Sequence, residues 1–242
     1  MLWPELLQLT MDLPRRIVAE AIGTALLLAA VVGSGIMGER LAAGNVAIAL
    51  LANTLATAGT LIALILTFGP VSGAHFNPAV TLADASQGGL AWRDAPAYIV
   101  AQLIGAVAGV LAAHLMFGEA VFQVSEHVHA GGAQMFSEFV AAFGLLSVIW
   151  SCARKRPDAA PFAVGLYITG AYWFTASTSF ANPAVTIARS LTNTFAGIRP
   201  VDVGGFIAAQ LAGAFVATIL FRWFMPTLPA SVENVVPPHS TE

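Results

Sequence analysis

The pentapeptide Asn77-Pro78-Ala79-Val80-Thr81 recurs as Asn182-Pro183-Ala184-Val185-Thr186, and the reading of this repetition decides the fold. Asparagine is a favoured helix N-cap. Proline is favoured at the first helical position, where its missing N–H costs nothing. Each copy therefore predicts a helix start. The helix behind each is short, 79–85 before Gly88-Gly89 and 184–191 before Gly197 and Pro200. Neither can cross a bilayer, which takes about 20 residues of helix.

The surrounding chain is apolar enough to be an integral membrane protein. Of its 242 residues 57% are hydrophobic and only 10% charged, against ~25% charged in soluble domains. Mean hydropathy is +0.79. Ten basic and 13 acidic side chains cannot cover a soluble domain of this size, and the net charge of −3 offers no field for phosphates. A soluble enzyme, a disordered chain and a nucleic-acid binder are thereby excluded. The single cysteine, Cys152, excludes an internal disulfide framework and a cysteine-based zinc site.

Six apolar stretches predict membrane spans, near 17–37, 45–68, 95–117, 135–152, 161–179 and 203–225. The repeat extends into them. Ala101, Gln102, Gly105 and Gly109 correspond to Ala209, Gln210, Gly213 and Ala217, each pair 108 apart. Glu20 and Glu138 each stand near the start of the first span of a half. Three spans per half is an odd number, so the second half must enter from the opposite face. The fold expected is an all-α membrane protein, with six spans and two re-entrant half-helices in an inverted repeat. The channel domain is placed over 1–225, its halves over about 12–118 and 134–225, and a disordered tail over 226–242. The small residues at matching positions are read as close helix packing.

Non-spanning backbone survives at membrane depth only when buried in protein or lining a cavity. In an inverted repeat the two short helices meet head to head, and their N-terminal ends carry positive partial charge. Two such ends aimed at one point oppose cations and protons. This suits a pore for neutral polar molecules, with the asparagine amides free to donate to a passing oxygen. Basic residues set the orientation. Arg15, Arg16, Arg93, Arg154, Lys155, Arg156 and Arg222 fall on one side, and Arg40, Arg189 and Arg199 on the other, which puts both termini in the cytoplasm. The first span reads as a retained helix rather than a cleaved leader. Glu126, His127 and His129, within 118–134, read as solvated side chains of a flexible outer loop and not as a metal site.

The strings SGAHFNPAVT (72–81) and NPAVT (182–186), with the two span-start glutamates, strongly resemble the aquaporin and aquaglyceroporin family, the major intrinsic proteins. The resemblance runs from about Arg15 to Met225. It implies a homotetramer in the bacterial inner membrane with one pore per protomer and no cofactor. Asn77, Pro78, Ala79, Asn182, Pro183 and Ala184 would hold the pore centre. Glu20, Glu138 and His75 would support the re-entrant loops. An intramembrane carboxylate also fits a proton relay, and a histidine can titrate and gate; the structural reading is favoured for all three.

The chain departs from the family at one telling place. Most members carry arginine directly after the second Asn-Pro-Ala, and this chain carries Val185. Counted along the family pattern, the constriction falls at Thr57, Gly170, Ser179 and Val185. Small uncharged residues there predict a wide mouth, unless an aromatic from the Tyr172–Phe174 run fills it. Arg189 either places its charge in an outer vestibule or faces loop carbonyls. The run NPAVTIARSL resembles a bacterial arsenic-associated subgroup. The function expected is a passive channel for water, glycerol and neutral metalloid acids such as arsenite. A water-selective channel and a proton-coupled secondary transporter are the alternatives. An enzyme is not expected, because no nucleophile–base–orienter set appears.

Overall fold

The computed structural model describes residues 11–225, so the tail expected over 226–242 lies outside the described residues. Helices α1 (Leu13–Leu41), α2 (Val46–Ser72), α3 (Pro78–Ser86) and α4 (Ala95–Phe117) form the first half. Helices α5 (Gly132–Lys155), α6 (Ala160–Phe174), α7 (Pro183–Arg189) and α8 (Pro200–Phe224) form the second. Short helices stand where the two half-helices are expected, as α3 and α7.

The packing repeats between halves. In the first half α1 lies along α4 and α2; in the second α5 lies along α8 and α6. The halves join through α2 against α6, α4 against α7, and α3 against α8. The small residues shared by the two halves make the two principal seams. A Cβ on Gly105 or Gly109 would strike the Ala21 or Ala25 carbonyl of α1, and one on Gly213 would strike the Phe139 carbonyl of α5. With no side chain in the way, backbones approach closely and dispersion contacts accumulate where lipid offers no hydrophobic gain.

Among the described residues, five helices are long and apolar enough to cross a membrane: α1, α2, α4, α5 and α8. The sixth, α6, is the exception. Its 15 residues rise only ~22 Å at 1.5 Å each, and a single 3-10 turn at Pro157–Ala159 precedes it. The expected span over 161–179 is therefore corrected at its end. The helix stops at Phe174, Thr175 turns extended, and Thr178 and Ser179 take positive φ. Side-chain capping opens the first two helices. Asn45 accepts from Ala47 and Ile48 N–H groups to open α2, and Asp12 accepts from Arg15 N–H to open α1.

Gly105→Val drives a branched side chain into the α1 backbone. It is expected to destabilise the detergent-solubilised protein by about 1–3 kcal/mol, as overpacking does, and to lower its thermal midpoint. Gly59→Ala, with nothing within 4 Å of the new Cβ, leaves that midpoint unchanged or slightly raised.

Candidate functional site

The starts of α3 and α7 meet. Asn77 Oδ1 accepts from Ala79 N–H at 2.9 Å and so caps α3, while its Nδ2 donates to the Ala181 carbonyl at 2.8 Å. Asn182 Oδ1 accepts from Ala184 N–H at 3.0 Å and caps α7, while its Nδ2 donates to the Phe76 carbonyl at 2.8 Å. Each asparagine thus caps its own helix and holds the loop of the other half. An amide nitrogen carries two hydrogens, so each keeps one beyond this exchange.

The loops before the caps are strained in matching places. Gly73, Ala74 and Phe76 have φ of 87°, 50° and 48°, and Thr178, Ser179 and Ala181 have φ of 60°, 53° and 47°. For residues with a Cβ this region costs about 1–2 kcal/mol each, so something must hold it. Fully buried carboxylates do. Glu20 accepts from Ser72 Oγ at 2.6 Å, His75 N–H at 3.0 Å, Phe76 N–H at 2.7 Å and Gln102 Nε2 at 2.7 Å. Glu138 accepts from Ser177 Oγ at 2.6 Å, Phe180 N–H at 2.9 Å, Ala181 N–H at 2.8 Å and Gln210 Nε2 at 2.6 Å. Gln102 and Gln210 also donate to Thr81 Oγ1 and Thr186 Oγ1, which donate in turn to the Asn77 and Asn182 carbonyls. His75 Nδ1 lies 3.1 Å from Thr81 Oγ1, and its Nε2 lies 3.5 Å from Asp84 Oδ2.

These observations invite comparison with known proteins. A family model described as "Major intrinsic protein" matches residues 8–176. The chain belongs to the major intrinsic protein family. Members of this family are membrane channels, and the apolar helices make this chain a membrane protein. It is 58% identical over 214 residues to a Rhizobium meliloti (strain 1021) protein named aquaglyceroporin AqpS, covering 88% of this chain and 91% of that one. It is 32% identical over 215 residues to a Nicotiana alata protein named probable aquaporin NIP-type, covering 85% and 77%. The X-ray structure of the aquaglyceroporin from Plasmodium falciparum shares the fold, with a TM-score of 0.63 at 20% identity over 88% of this chain and 96% of that one.

The four positions counted as a constriction have different surroundings. Thr57 is buried, and its Oγ1 lies 3.4 Å from the Tyr172 hydroxyl. Gly170 is exposed, on the α6 stripe of Phe162, Leu166 and Trp173, and a Cβ there would meet only Phe174. It sits two residues, ~200° of helix, away from Tyr172. Tyr172 is thus the aromatic of the Tyr172–Phe174 run whose side chain meets Thr57. The signal that finds Tyr172 is the apolar stripe Pro161, Val164, Ile168, Tyr172, buried along the inner face of α6.

Ser179 and Val185 flank Asn182 and are both buried; among the described residues, Ser179 Oγ has no hydrogen-bond partner. Arg189 is buried too, with its Nε donating to the Ala196 carbonyl and its guanidinium 3.4 Å from the centre of the Phe180 ring. It therefore does face a loop carbonyl. In the outer segment the Glu126 and His127 side chains are exposed, as expected, while the backbone is tied down. Glu126 N–H donates to Asn193 Oδ1, His129 N–H donates to Asp202 Oδ2, and the His127 carbonyl accepts from Arg199 N–H at 2.7 Å.

Glu20→Gln places an amide N–H against donors. It is expected to cost about 3 kcal/mol, the scale of a buried charge-assisted network losing its acceptor, read as a lowered thermal midpoint. Glu39→Gln, at an exposed position, stays within about 0.5 kcal/mol of the unmodified chain.

Proposed function

We propose that the chain is a passive channel for small neutral solutes, namely water, glycerol and neutral metalloid acids such as arsenite, and not an enzyme. The single observation that carries this is the reciprocal Asn77–Ala181 and Asn182–Phe76 exchange. It fixes two helix starts tip to tip, each asparagine with an amide hydrogen to spare. Oxygen atoms of a passing solute accept from those hydrogens, and the facing dipoles oppose cations. The 58% identity to a protein named an aquaglyceroporin supports the glycerol reading.

In this reading the constriction lies at Thr57, Gly170, Ser179 and Val185, with Tyr172 filling the space beside Thr57. Tyr172 supplies an aromatic wall for the carbon side of a polyol. The Thr57 hydroxyl and the unpartnered Ser179 hydroxyl replace hydration on its oxygen side. Val185 leaves the position beside the second Asn-Pro-Ala uncharged. Arsenite, neutral at pH 7 as a trihydroxy acid, presents the same outline as a small polyol. Tyr172 also narrows the opening relative to four small residues, and this favours water selectivity as the second reading.

Glu20 and Glu138 serve as acceptors for loop N–H groups rather than as proton relays: each already receives four donors. His75 supports the first loop through Thr81 and Asp84. The channel domain spans 1–225 with halves at about 12–118 and 134–225. Protomers assemble as a homotetramer in the bacterial inner membrane, with both termini cytoplasmic on the distribution of basic residues.

Proteoliposome flux tests the proposal. Glycerol flux is expected to rise without saturation and to ignore an imposed proton gradient. Saturable, gradient-driven flux abolished by Glu20→Gln contradicts it and indicates a transporter. Val185→Arg is expected to lower glycerol flux several-fold more than water flux, and Tyr172→Ala to raise glycerol relative to water. Equal loss of both solutes in Val185→Arg, with folding and assembly intact, removes Val185 from the constriction.

A further inference from the structure

The cation next to the proposed constriction in the chain is paired unlike three other arginines. Arg16, Arg40 and Arg199 face Asp94, Glu119 and Asp202. Arg189 is 4% exposed, and among the described residues no carboxylate lies within ion-pair distance of it. The acid whose field reaches it, Glu138, has its oxygens taken by four other donors. Its own contacts are a carbonyl oxygen and an aromatic face, on Ala196 and Phe180. Both groups steady a guanidinium without cancelling its charge. A buried charge left uncompensated is costly to keep, so its retention calls for a use.

Geometry supplies one. Side chains on an α-helix lean back toward its N-terminus and cover the preceding turn. Arg189 lies four residues beyond Val185 on α7, so its side chain reaches back across the turn that carries Val185. Phe180, the ring it covers, adjoins Ser179 in the chain, and the Tyr172 phenol lies close enough to interact with it electrostatically. The charge is felt nearby as well. His129, whose ring packs on Phe180, is pushed down to about 4, first by burial and then by Arg189.

We infer that Arg189 is a charge-selectivity residue of this channel, supplying from one turn beyond Val185 a fixed positive field that turns small cations away from the outer mouth. The inference rests on the channel reading above and adds a function for a residue outside the constriction ring. It separates two properties: Val185 sets the width, and Arg189 sets the sign of the charge excluded.

The test uses the full chain in proteoliposomes and compares methylammonium, a small monovalent cation, with glycerol. Arg189→Gln is expected to raise the methylammonium-to-glycerol permeability ratio at least tenfold, the scale of one unit charge acting over several ångströms in a medium of intermediate dielectric. Arg189→Lys is expected to hold the ratio below that of Arg189→Gln, because an ammonium keeps a positive charge while losing the planar stack on Phe180. Should Arg189→Gln fail to assemble, Arg189→Met decides: it keeps a long side chain against the Phe180 ring without the charge, and the ratio is again expected to rise at least tenfold. An unchanged ratio in the variant that assembles overturns the inference while leaving the channel reading standing. Absence of glycerol flux through the unmodified chain overturns the channel reading itself.

Discussion

Two buried carboxylates carry the architecture. Glu20 and Glu138 each gather a serine hydroxyl, two backbone N–H groups and a glutamine amide from segments distant in sequence. The N–H groups belong to loops with residues in left-handed backbone, which no side-chain preference favours. Irregular backbone at membrane depth has no water to satisfy it. A carboxylate with four acceptor positions is a compact substitute, and the desolvation cost of burying it is offset only while all four are filled. The half-helices can therefore be placed at the centre of the molecule only as long as these two clusters stay intact.

From that constraint the rest follows in order. The held loops present Asn77 and Asn182 to one another, and each side chain divides its two ends between capping its own helix and binding the opposite loop. The exchange makes the halves mutually dependent: neither half-helix has its full set of partners without the other half. The glycine seams between α1 and α4 and between α5 and α8 bring the carboxylate-bearing helices close enough to reach the loops. In the proposed reading, the same tip-to-tip arrangement filters charge at the centre, while Thr57, Gly170, Ser179 and Val185, with Tyr172 beside Thr57, filter size nearer the outside.

Much of this was legible in the sequence because the signals were local. Asn-Pro reads as a capped helix start from the chemistry of two adjacent residues, and its repetition reads as an inverted duplication from a count of spans. The glutamates stood out as charges within apolar runs. What the sequence left open was which aromatic of the Tyr172–Phe174 run lies beside Thr57. The buried stripe along α6 and the 3.4 Å approach of the two hydroxyls single out Tyr172, because only the fold brings α6 against α2. The polar outer segment does expose its Glu126 and His127 side chains, but the sequence gives no sign that Asn193, Asp202 and Arg199, some 70 residues further along, bind its backbone. Likewise the surroundings of Arg189 depend on Phe180 and Ala196, which only the fold brings together.

The most direct test of the central claim is an experimental density map of the protein in a lipid environment, resolved well enough to show ordered water. The account predicts a continuous file of water passing between the Asn77 and Asn182 amides, with the Glu20 and Glu138 oxygens occupied by the loop N–H groups. Half-helix tips standing apart or turned toward lipid, with those carboxylates bound elsewhere, would contradict it.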